Sequence, residues 1–118
     1  MNISFDGIGE VIATFAAEDA AALAPGDAVV MTGDGEVGLG ETGGQLCGVV
    51  VTVAGDGYAG VQIDGLAQVN YSGTTAPAVG WELLSTDGTG SVKAVETGGV
   101  ACLVISVDEE AKTAVIKL

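Results

Sequence analysis

The most nucleophilic side chains in this chain are two thiols, Cys47 and Cys102, and the amines of Lys93, Lys112 and Lys117. There is no histidine. No arginine appears either, so every cation is one of those three lysines. Neutral-pH general base catalysis and imidazole metal ligation therefore lack their usual residue. A bidentate anion clamp lacks its own. A reactive cysteine needs a neighbouring cation or imidazole to lower its pKa, and neither thiol has one nearby in sequence. The carboxylates of Asp34, Glu36 and Glu41 could gather calcium, which takes six to eight oxygens, but the EF-hand spacing is absent. The run GDGEVGLG resembles a phosphate-cradling loop only in its glycines. No Gly-Lys-Ser/Thr follows it, and hairpin turns account for it better. The chain is expected to be no enzyme, with no cofactor and no metal.

The carboxylates dominate the electrostatics. Sixteen acidic residues against three lysines give a net charge of -13. Such a chain is repelled by phosphate backbones and by anionic lipid surfaces. The expected partners exclude nucleic acid and membrane, and the acids read as a solvated outer face. No stretch approaches the apolar length of a membrane span. The opening residues MNISFDGIGEV have no basic region or long apolar run, so they do not read as a secretory signal. Two cysteines are too few for a disulfide framework, and a reducing compartment is the simpler reading.

Positioning is carried by a repeat. ETGG at Glu41–Gly44 returns at Glu96–Gly99, an offset of 55. Cys47 then falls on Cys102, Val49 on Val104, and Ala59, Val61 and Ile63 on Ala114, Ile116 and Leu118. Upstream the offset reads as 54, with Gly26 on Gly80 and Val29 and Val30 on Leu83 and Leu84. Each copy reads as the same set of short strands separated by glycine turns, several of them Asp-Gly. In the first, strands are expected over 27–31, 36–39, 46–53 and 58–63, with Gly43-Gly44 as a turn. In the second they are expected over 81–85, 91–95, 100–107 and 112–118. The unalternating Val49-Val50-Val51 implies a strand buried on both faces.

The expected architecture is all-β. A small barrel or sandwich is built from two pseudo-two-fold-related strand repeats. It forms one domain over 1–118: a loose N-terminal arm at 1–8, repeat one at 24–63, a linking strand and loop at 64–75, and repeat two at 76–118. A strand over 10–15 and a helical turn within 16–23 precede the first repeat. Cys47, Val49, Cys102 and Val104 form the repeat core, with the two cysteines in equivalent inward positions. They are most simply small buried hydrophobes. The alternative is a disulfide across the pseudo-axis, which demands particular geometry. Trp81 is either a core plug, as its place at a strand start favours, or an exposed aromatic marking a contact surface.

Two family resemblances follow. Lipoyl and biotinyl carrier domains are also small acidic barrels with an internal repeat. Lys93 in GSVKAVE is the only candidate for their modified lysine, but it lacks the Met-Lys-Met or Asp-Lys-Ala setting and falls in a strand. The run APGDAVVMTGDGEVGLGETGGQLCGVVVTVAGDGYAGVQIDGLAQV, with GWELLSTDGTG, GGVACLVISV and TAVIKL after it, resembles the phage capsid (head) decoration proteins. These comprise the lambda-type head decoration proteins and related small capsid-decorating proteins. The likeness spans about 9–118. It departs from the family pattern at Trp81, where that pattern has Asp, and at Ala101, where it has Gly. The resemblance implies a non-enzymatic virion structural protein, made in the bacterial cytoplasm and placed on the virion surface. Its partners would be the major capsid protein and itself, as a homotrimer. Ile3, Phe5 and Ile8 of the arm become candidates for capsid contact. An oligomeric binding or adhesion module is the alternative.

Overall fold

A computed structural model of the chain describes residues 11–118. The expected arm and its contact candidates Ile3, Phe5 and Ile8 lie outside the described residues. The architecture is all-β. Eleven strands follow one another among the described residues: β1 (Val11–Ala17), β2 (Ala28–Gly33), β3 (Glu36–Gly38), β4 (Thr42–Gly44), β5 (Gly48–Val53), β6 (Tyr58–Asp64), β7 (Leu66–Asn70), β8 (Gly80–Asp87), β9 (Val92–Ala94), β10 (Val100–Asp108) and β11 (Thr113–Lys117). The alanine-rich stretch before β2 shortens to one 3-10 turn, Ala20–Ala22. Asp19 caps it by accepting from the Ala21 N–H at 3.2 Å. Pro25 and Gly26 then prevent its continuation.

The first half closes on itself in the order β1-β3-β2-β5-β6. β1 runs antiparallel to β6 and parallel to β3, with Ala17 opposite Val37. The second half repeats this circuit. β7 runs antiparallel to β11, then β10, β8 and β9 follow. One parallel bridge, Tyr71 to Val92, returns the path to the end of β7. Matching backbone bonds support the equivalence. Ala17 N donates to Gly57 O at 2.9 Å, and Tyr71 N to Lys112 O at 3.0 Å. Glu18 N donates to Val37 O, and Ser72 N to Val92 O, both at 2.8 Å. β7 therefore holds in the second half the place of β1 in the first, and each copy starts one strand earlier than the sequence comparison reads. The turn before each closing strand needs positive φ: Gly57 supplies 90°, and Lys112, the one described non-glycine in this region, supplies 56°.

The ladders also move the one-residue insertion. Met31 faces Val37, and Thr86 faces Val92, so Val29 corresponds to Leu84 rather than to Leu83. Both Val29 and Leu84 are fully buried. Gly26 and Gly80 share positive φ, yet Val29 lies three residues beyond the first and Leu84 four beyond the second. The extra residue sits at the start of β8, beside Trp81, and not in the hairpin turn.

Each half has its own core, rather than one interior shared equally. Val29, Val37, Val50, Ala59 and Val61 fill the first. Val69, Leu84, Val92, Cys102, Val104, Ala114 and Ile116 fill the second, joined by Ala28, Leu46 and Val49 from the first half. Neighbouring Val49 and Val50 thus serve different cores, as an unalternating strand should. Each such side chain, fully buried, contributes about 1.5–3 kcal/mol. The halves are also stitched through the backbone. β4, expected as a turn, instead pairs with β8 of the other half, Thr42 opposite Asp87 and Gly44 opposite Thr86. Thr86 Oγ1 donates to Glu41 O at 2.9 Å, and Ala28 N to Gly90 O at 2.8 Å.

Candidate contact surface

The cysteines answer the first chemical question. Both are free. Burial pushes each thiol's pKa up, away from the thiolate. They do not occupy equivalent positions, which corrects the sequence reading. Val50 faces Val61 and Val104 faces Ile116, so against the closing strands Val50 corresponds to Val104 and Gly48 to Cys102, while the pairing with β2 and β8 runs two residues out of step, Val29 opposite Gly48 and Leu84 opposite Val100. Cys102 is buried in the second core, whereas Cys47 precedes β5 half-buried against the first. The reason is spatial. A Cβ at position 48 would come within 2.5 Å of the Gln62 carbonyl oxygen, leaving room there for glycine alone. Of the other core candidates, Val49 and Val104 are both buried.

The carboxylates stay apart. Among the described residues no group of three or more His, Cys, Asp or Glu side chains could hold a metal ion. Glu36 accepts instead from Thr32 Oγ1 at 2.9 Å, and Asp34 is exposed in the turn between β2 and β3. Lys93 lies within β9 opposite Ser85, in a strand and not at a hairpin tip. Asp87 ends β8. Burial works to raise its pKa, but hydrogen bonds from the Thr89 N–H and hydroxyl, the Ser72 hydroxyl and the Ser91 N–H outweigh it and hold it below the usual value. No helix among the described residues is long and apolar enough to cross a membrane.

A surface feature remains. Across the outer face of the second half, one register row reads Trp81, Leu103, Lys117, Leu66 on β8, β10, β11 and β7. Trp81 is 74% exposed and Val79, just before the strand, 68%. Trp81 is therefore not the core plug that its position favoured. Leu84, three positions further along β8 and so on the opposite face, fills the core. Large apolar side chains clustered on a surface mark contact sites.

The corresponding outer face of the first half is different. It carries a shallow groove whose lining includes Ile12, Thr14, Thr52, Asp56, Tyr58 and Gly60. Gly60 stands where the second half has Val115: the first faces Thr14 of β1, the second Gln68 of β7. Ile12 and Tyr58 are both exposed. Sequence reasoning missed this groove. Its only sequence signal is a glycine in the middle of an otherwise filled strand.

Charge divides the same way. Residues 1–64 hold ten of the acids and no lysine, while residues 65–118 hold six acids and all three lysines. No family model matches the chain, and no curated protein matches it.

Proposed function

We propose that this chain is a non-enzymatic decoration protein of a phage or prophage capsid, which binds the outer shell and stabilises it. The observation that carries the reading is the exposed row around Trp81, on the less acidic half of a strongly acidic molecule. A surface of this kind meets protein, and the remaining carboxylates suit a cap facing solvent. The resemblance in the strand and turn sequence supplies the type of partner, the major capsid protein, and self-association as a homotrimer. The apolar Ile3, Phe5 and Ile8 are the candidates for direct shell contact, adding a strand to an open edge of a coat subunit. Many weak contacts acting together would then cement the lattice.

Co-sedimentation with assembled, expanded heads tests this. The full chain is expected to pellet with heads and to raise their resistance to heat, and a chain lacking residues 2–8 to remain folded in the supernatant. A chain that never pellets with heads would move the assignment to an oligomeric binding or adhesion module. Undiminished pelleting of the truncated chain would remove the role given to Ile3, Phe5 and Ile8.

A further inference from the structure

We infer that the groove on the first half is filled by a second copy of this chain, whose Trp81 row seats between Ile12 and Tyr58. The inference rests on the self-association proposed above and names the surfaces that make it. Two observations carry it. The first is shape. One half presents an indole 74% exposed, flanked by Val79, and the other a groove floored by Gly60 where its counterpart has Val115. The indole has apolar side chains on either side of it to meet.

The second observation is charge. Placing two first halves together brings only carboxylates to the contact, since that half has no lysine. Two second halves together offer no groove, since Val115 fills that place, and each brings six acids with its three lysines. Head-to-tail contact brings the lysine-bearing half to the half that has no lysine. Lys117 sits in the Trp81 row, and Asp56 lies at the groove. Such a contact is heterologous: each molecule uses a different surface toward each neighbour. It therefore closes as a ring or continues as a chain, and does not stop at a symmetric pair.

Size exclusion with light scattering on the full chain tests it. The wild type is expected to run as an oligomer. Trp81→Ala, which removes the knob, and Thr14→Trp, which fills the groove, should each give monomers with the wild-type circular dichroism spectrum, melting lower only by what assembly contributed. Mixed in equal amounts they should form a dimer and nothing larger, because one knob and one groove remain intact between them. Should Thr14→Trp disturb β1, Tyr58→Ala removes a groove wall from the surface and takes its place in the mixture. A monomeric wild type overturns the inference. So does a Thr14→Trp chain that still assembles while Trp81→Ala does not, which would place the indole elsewhere, and so does an oligomer lost only when residues 1–10 are deleted. Head binding by a monomeric wild type would sink this contact and leave the decoration reading standing. An oligomer that passes every mixing test yet ignores heads would do the reverse.

Discussion

The two halves are alike where they face inward and unlike where they face out. Val37 and Val92, Ala59 and Ala114, Val61 and Ile116, and Val50 and Val104 hold matching places in the ladders, and all are buried. Outside, Gly60 stands against Val115, Thr14 against Gln68, and β8 begins with an extra residue beside an exposed Trp81. A packed interior resists change because each added or removed methylene is felt by its neighbours. An outer face is free to vary until something docks on it. The difference teaches that the repeat explains the scaffold and that function must be sought in what is not repeated.

The largest expected effect breaks the inner likeness. Leu84→Ala should cost about 2–5 kcal/mol, while Val29→Ala at the matching position should cost less, because it removes fewer carbons. Urea unfolding reads both. The shared core and the β4 pairing require one transition to shift for either variant. Two separate transitions, each sensitive to one variant, would mean that the halves are energetically independent.

The cysteine mismatch is sharpened by Gly48→Ala. It should cost about 1–3 kcal/mol through overpacking against the Gln62 carbonyl, although the corresponding position in the other half holds the larger Cys102. A neutral result would mean that the Gln62 carbonyl gives way, and that space is not what keeps a side chain out of position 48. Smaller again is the effect at the paired turns. Gly57→Ala should cost about 1 kcal/mol because φ is 90° there. Lys112→Gly should gain less than that. The ammonium is given up at the same time, and it donates to Gly73 O at 3.0 Å and lies 5.7 Å from the Tyr71 ring centre.

The smallest effect concerns pH. Asp87 has a folded pKa below its unfolded value, so the unfolded chain takes up its proton first as pH falls. Its contribution is complete above the unfolded pKa and is lost as pH drops through the folded one. The corresponding first-half residue, Thr32, does not titrate. The acid-side loss of stability should therefore be shallower in Asp87→Asn than in wild type when melting is followed from neutral pH into the carboxylate range.

Much of the scaffold was legible. Valine-rich runs and glycine turns placed most strands within a few residues, and ETGG revealed the duplication. Three features were hidden for physical reasons. Matching letters aligned Cys47 with Cys102, yet a one-residue slip turns every side chain of a strand to its other face, and only the ladder sets that register. Trp81 carries no mark of its exposure, which follows from the alternation that sends Leu84 inward. Thr42–Gly44 has no apolar pattern at all. It becomes a strand because β8, far along the chain, offers it hydrogen bonds, while the same phrase at Glu96–Gly99 pairs in no ladder.

That borrowed strand has a genetic consequence. A gene that arose by copying could ordinarily shed one copy and return to its ancestor. Here β4 is encoded in one copy and spent in the other. Deleting the second would leave β4 with nothing to bind, and deleting the first would strip β8 of a neighbour. The exchange works as a ratchet, holding the doubled gene at double length whatever becomes of the surfaces it carries.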